Sequence, residues 1–169
     1  MIIPIFEGNH WSTVIVTHPN KMKYISKDNC PCIIYLDSYY ENNAKCIGTI
    51  KRFIYSEYAL YNGTYSREDY FLKVKYIKTF IPKVPKQPNT FDCGIFMLTY
   101  IEKFLSNPDF LEQHINELNL DLSKWFEVEL TQQKRKKIKS FIYHIKMNES
   151  QAVENYSKEL NKEILINIK

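Results

Sequence analysis

The stretch from Asp92 to Leu105, DCGIFMLTYIEKFL, constrains this fold more than any other. Ile95, Leu98, Ile101 and Leu105 recur at helical spacing on one side, and Phe96, Tyr100 and Phe104 on another. A helix apolar on most of its faces is expected inside the molecule, so other elements must be layered around it. Asp92 precedes it as an N-cap candidate, and Asn107-Pro108 ends it. The residue at its entrance is a cysteine, Cys93.

The elements before it read mainly as strands. Ile2 to Phe6 is β-branched and aromatic, and Glu7-Gly8-Asn9 is a turn signal. His10 to Thr17 is a second strand, Pro19 to Pro31 a polar loop, and Cys32 to Leu36 a third strand ending at Asp37. Asn42 or Asn43 can cap a helix to about Leu60, with Ile47, Ile50, Ile54 and Tyr58 on one face. After a loop from Asn62 to Asp69, Phe71 to Ile81 alternates Leu72, Val74 and Tyr76 with lysines, as a half-buried strand would. Pro82, Pro85 and Pro88 then exclude regular structure. Thr131 can cap a helix to about Ile145, with Ile138, Phe141, Ile142 and Ile145 inward.

This order predicts an α+β fold, a small mixed sheet packed on the buried helix. A chain of 169 residues suits one core. Residues 1–147 are expected to form it, with 148–169 a polar tail of weak helical pattern.

Charge and cysteine content narrow the function classes. A net charge of +4 is too mild to imply nucleic acid and fits an acidic protein partner equally well. No apolar run approaches the length of a membrane span, and Met1-Ile-Ile-Pro-Ile-Phe lacks the marks of a secretory signal. The four cysteines, at 30, 32, 46 and 93, are therefore expected as free thiols of an intracellular protein. Cys30-Pro31-Cys32 with His18 or Cys46 lacks the paired spacing of a structural zinc site, so no metal is expected. His18, His114 and His144 read as surface residues, and Lys134 to Lys137 as a solvated helix face, with a nuclear signal or an acidic-partner contact as the alternatives.

Hydrolysis by cysteine needs a thiolate, a base, a group that orients the base, and donors for the developing oxyanion. Cys93 at a helix N-terminus sits where an anion is stabilised, and Gly94 permits close approach of a substrate backbone. His10 starts a strand and Asp37 ends one, so pairing of those strands would bring base and carboxylate to one rim. Gln87, six residues before Cys93, can offer its amide to the oxyanion beside the Cys93 N–H. Asp92 is a rival acid, but its position suits capping better.

Three segments carry a family resemblance: IPIFEGNHWSTVIV with His10-Trp11, CIIYLDS with Asp37-Ser38, and PKVPKQPNTFDCGIFMLTYIEKF with Gln87 and Cys93. In their order and in the six-residue step from Gln87 to Cys93 they resemble the ubiquitin-like-protein-specific (SUMO, or sentrin) cysteine proteases, relatives of adenovirus proteinase. The wording of PCIIYLDS and IPKVPKQPNTFDCG is most like the branch that trims poly-SUMO chains. The resemblance implies a papain-like fold, a Cys93-His10-Asp37 triad, and Trp11 covering a narrow tunnel for the modifier's terminal Gly-Gly. It implies isopeptide cleavage from lysine with no cofactor, in a nuclear or cytoplasmic monomer whose partners are SUMO-like modifiers and their conjugates. Family catalytic domains begin before the histidine strand, so a C-terminal portion of that domain is expected.

Overall fold

The structure is a computed structural model. It describes the backbone of residues 1–40, 43–114 and 121–166, and the side chains of 1–40, 43–111 and 121–151. The chain falls into two compact units, Met1–Thr131 and Gln132–Lys169.

In the first unit one mixed sheet runs in the order β1 (Ile2–Glu7), β2 (His10–Thr17), β3 (Cys32–Leu36) and β4 (Lys78–Phe80). The first three strands are antiparallel neighbours, and β4 pairs parallel to β3. Gly8 and Asn9, both at positive φ, make the tight turn from β1 into β2. Met1 and Val16 exchange both backbone hydrogen bonds, so the odd residues of β1 bond inward to β2. The even residues face the open rim, and there Pro4 puts a nitrogen that carries no hydrogen.

The near-continuous apolar run of β2 and β3 follows from burial on both faces. Val14, Val16, Ile33 and Tyr35 pack with Ile47, Ile50, Ile54 and Tyr55 of helix α1 (Ala44–Asn62). The alternate residues Ile15, Ile34 and Leu36 pack with Phe96 and Tyr100 of helix α3 (Cys93–Ser106). The sheet is thus sandwiched, with α1 on one face and the cysteine-bearing helix on the other. Asn43 caps α1, its side chain accepting from Cys46 N at 2.9 Å; Asn42 lies outside the described residues.

Several expectations need correction. The stretch from Phe71 to Ile81 is not one strand. Helix α2 (Arg67–Val74) takes its first part, through Val74, and only Lys78–Phe80 is extended. Ser66 caps α2 by accepting from Asp69 N at 3.0 Å, with Glu68 and Asp69 in the first turn where anions favour a helix. Tyr70 and Val74 then meet the α1 side of the core at i, i+4 spacing. The loop from Pro19 to Pro31 contains a 3-10 helix, Pro19–Tyr24, that buries Met22. Helix α3 buries the Phe96 and Tyr100 side, whereas Leu98 and Leu105 are exposed, because only one of its faces meets the sheet. A short helix α4 (Pro108–His114) follows it.

Helix α5 (Glu129–Ile166) begins before the expected cap: Thr131 Oγ1 donates to Val128 O at 2.6 Å instead of accepting from the helix. Its Phe141, Ile142 and Ile145, expected inward, are exposed. Helical spacing of apolar residues marks a face that can be buried; it does not supply the surface that buries it. His144 lies on this exposed stretch, and the side chain of His114 lies outside the described residues.

Candidate active site

The ends of the central strands and the entrance of α3 form one neighbourhood. His10 is the first residue of β2, and Asp37 directly follows β3. The antiparallel register, Thr13 opposite Leu36, brings these two ends together. His10 Nε2 lies 2.8 Å from Asp37 Oδ1. A nitrogen facing a carboxylate carries a proton, so Nε2–H donates to Asp37 and Nδ1 is the ring nitrogen left for a second partner.

Asp37 is almost fully buried and well satisfied. Oδ1 also accepts from the backbone N–H groups of Tyr39 at 2.7 Å and Tyr40 at 2.9 Å, and Oδ2 accepts from the Tyr35 hydroxyl at 2.7 Å. Burial holds the Tyr35 phenol far above its ordinary pKa, with the nearby carboxylate adding to the effect, so it stays a donor. Lys86 Nζ donates to the Asp37 and Tyr40 carbonyls, each at 3.1 Å, which fixes the turn that carries the carboxylate. The rings of Tyr39 and Tyr40 stand 6.0 and 5.2 Å from the His10 ring. A cavity of about 410 Å³ opens on Asp37 and is lined also by Tyr35, Tyr40 and Lys86.

Cys93 is the first residue of α3, buried but with its helix end free of a side-chain cap. Asp92 holds the N-cap position, yet its carboxylate makes no capping bond; Oδ2 accepts from Asn89 Nδ2 at 2.7 Å. Trp11, next to His10, lies over Gly94. A methyl group at Gly94 would stand 3.6 Å from Trp11 Cδ1, in ordinary contact, so the indole lies directly against this position. Trp11 is 38% exposed and packs on Phe6 at 4.8 Å, which separates it from the ordinary core.

Gln87 is buried in the proline-bearing approach to α3, and that approach is pinned along its length. Tyr100 Oη donates to Pro85 O, Leu122 N donates to Lys83 O, and Gln87 N donates to Ser38 O at 3.1 Å. The Gln87 side chain accepts from Ser38 Oγ at 2.6 Å and donates to Asn89 O. The structure thus joins His10 to Asp37, Trp11 to Gly94, and Gln87 to the residue after Asp37.

The sequence reading missed Tyr35, Ser38, Lys86 and Asn89. Asn89 had a legible signal: Asn followed by two residues and Asp-Cys reads as an Asx turn, and its Oδ1 indeed accepts from Phe91 N and Asp92 N. Ser38 and Lys86 act across 49 residues, which no local pattern encodes, and Tyr35, two residues before Asp37, reads in the sequence as one more apolar strand residue. Cys30, Cys32 and Cys46 are free and buried, and among the described residues no group of three His, Cys, Asp or Glu could hold a metal. Also among the described residues, no helix is long and apolar enough to cross a membrane.

Residues 1–140 match the Ulp1 protease family, C-terminal catalytic domain. The chain belongs to this family. Its relatives include probable ubiquitin-like-specific protease 2B of Arabidopsis thaliana, 25% identical over 92% of this chain and 18% of that protein. Sentrin-specific protease 7 of Rattus norvegicus is 31% identical over 72% of this chain and 11% of its own length. Sentrin-specific protease 6 of Mus musculus is 32% identical over 72% and 10%. The chain therefore spans less than a fifth of each of these relatives. A solved structure, described as the crystal structure of the de-sumoylating protease, superposes with a TM-score of 0.52 at 30% identity, over 66% of this chain and 40% of that one. The expected family and the α+β papain-like class, with a mixed sheet, are borne out.

Proposed function

We propose that this Ulp1-family chain is the catalytic portion, centred on 1–147, of a cysteine isopeptidase. It releases SUMO-like modifiers from lysine side chains and acts on modifier chains or precursors by the same chemistry. The observation that carries this reading is the 2.8 Å pair of His10 Nε2 and buried Asp37, formed beside a strand whose Trp11 lies over Gly94, the residue after Cys93.

In this reading His10 Nδ1 takes the Cys93 proton, while Asp37 holds the ring and stabilises the imidazolium. The sulfur attacks the carbonyl carbon of the modifier's terminal glycine. Gln87 Nε2 and the Cys93 backbone N–H receive the oxyanion. Collapse breaks the carbon–nitrogen bond, and His10 delivers its proton to the leaving lysine amine. Water, deprotonated by His10, then attacks the thioester and frees the modifier as a carboxylate. Trp11 roofs the passage for the narrow Gly-Gly tail, which Gly94 leaves open. The partners are a SUMO-like modifier and its conjugates, met by a monomer inside the cell.

A SUMO molecule with a C-terminal electrophile tests this. Covalent labelling at Cys93 that is lost in Cys93→Ser and His10→Ala is the expected result. A folded sample that takes no label would overturn the assignment in favour of a binding module. Labelling only by another ubiquitin-like probe would reassign the modifier while leaving the thiol chemistry intact.

A further inference from the structure

A glutamine amide has two ends of nearly equal shape, and only one can serve an oxyanion. With nitrogen forward it donates; with oxygen forward it repels. The surroundings of Gln87 decide the matter. One end meets the Asn89 carbonyl oxygen, which can only accept, so that end is Nε2. The other end is therefore Oε1, and Ser38 Oγ donates to it at 2.6 Å. Ser38 is 1% exposed, and its own carbonyl accepts from Gln87 N at 3.1 Å, so Gln87 is held there by backbone and side chain together. Nε2 carries two hydrogens. One goes to Asn89 O, and among the described residues nothing accepts the other.

Asn89 extends the link. Its side chain accepts from Phe91 N and Asp92 N and donates to the Asp92 carboxylate, so the residue that fixes the nitrogen end of Gln87 also shapes the turn into Cys93. Ser38 in turn directly follows Asp37. The pair Asp37-Ser38 thereby reaches both the base, through His10, and the oxyanion donor, through Gln87.

We infer that Ser38 is a positioning residue for the acyl-transfer step: its hydroxyl clamps the Gln87 amide so that one N–H of Nε2 is aimed at the developing oxyanion. This rests on the functional reading above. Without the hydroxyl, Oε1 is left buried without its donor and the amide swings from its place.

The test compares two reactions of the same thiol. Turnover of a SUMO C-terminal coumarin amide passes through a tetrahedral oxyanion. Alkylation of Cys93 by iodoacetamide does not, because the sulfur displaces iodide from a saturated carbon. Removing one oxyanion donor costs about a hundred- to a thousandfold in kcat, so Gln87→Ala sets that scale and Ser38→Ala is expected to lower kcat by roughly tenfold with KM unchanged. Alkylation of Cys93, and its dependence on pH, stay as in the wild type. In the Gln87→Ala background Ser38→Ala costs nothing further, because the clamp has no amide left to hold. The inference is overturned if Ser38→Ala slows alkylation as much as turnover, or if its loss multiplies that of Gln87→Ala. Absent wild-type turnover, or turnover that survives Cys93→Ser, is a different failure. It removes the functional reading itself, and Ser38 then has no step to serve.

Discussion

Asp37 shows how much of this site is fixed by single hydrogen bonds. Both its oxygens are engaged inside the protein, three donors on Oδ1 and the Tyr35 hydroxyl on Oδ2. A buried carboxylate so engaged resists rotation, which keeps His10 in one orientation. Tyr35→Phe removes one of those donors while leaving the ring in the α1 side of the core. A hydrogen bond to a charged group contributes about 1.5–3 kcal/mol, and the variant is expected to lose an amount of that order in urea unfolding. A change below about 0.5 kcal/mol would mean that Oδ2 is satisfied without Tyr35. None of this was legible from Tyr35 alone, which in the sequence is one more residue of an apolar strand.

At the scale of elements, what the sequence disclosed depended on whether its period was unambiguous. The strands His10–Thr17 and Cys32–Leu36 were readable because runs rich in Val and Ile, bounded by turn residues, have few other solutions. The entrance of α3 was readable because Asp-Cys-Gly precedes a long apolar period and Asn-Pro closes it. Helix α2 was misread because Leu72, Val74 and Tyr76 alternate as a strand would, while Tyr70 and Val74 also satisfy a helix. The Ser66 cap settled the competition. Ser66→Ala should therefore cost about 1 kcal/mol, seen as a lower thermal midpoint and weaker helical circular dichroism. An unchanged midpoint would place the cause of α2 in its packing alone. Strand β3 carries a different test. Burial pushes the Cys32 thiol from an ordinary value of 9.0 up to about 12. Between those values the unfolded chain has lost a proton that the folded chain keeps, so the folded state binds more protons and stability falls as pH rises. The contribution is complete below pH 9 and gone above 12. Cys32→Ala is expected to lose less stability than the wild type across that window, read from unfolding curves at successive pH values. Parallel losses would show that the thiol does not titrate as its burial requires.

At the scale of the unit Met1–Thr131, the sheet divides the work. Its α1 face is structural, and its α3 face carries the helix that presents Cys93. Because neighbouring residues of β2 and β3 serve opposite faces, a one-residue slip of β2 on β3 would exchange Val14 for Ile15 at both cores at once and carry His10 away from Asp37. Pairing register and the His10–Asp37 contact are therefore the same constraint. The other side of β2 is protected differently. Pro4 on the outer rim of β1 leaves a gap in the row of donors that a neighbouring chain would need. The consequence is colloidal: among the described residues this edge of the sheet is a poor template for growth into stacked assemblies, a hazard for any exposed strand as rich in isoleucine as this one. Pro4→Val restores the missing donor and raises β propensity. Static light scattering of concentrated samples is expected to detect greater association in that variant than in the wild type at the same concentration.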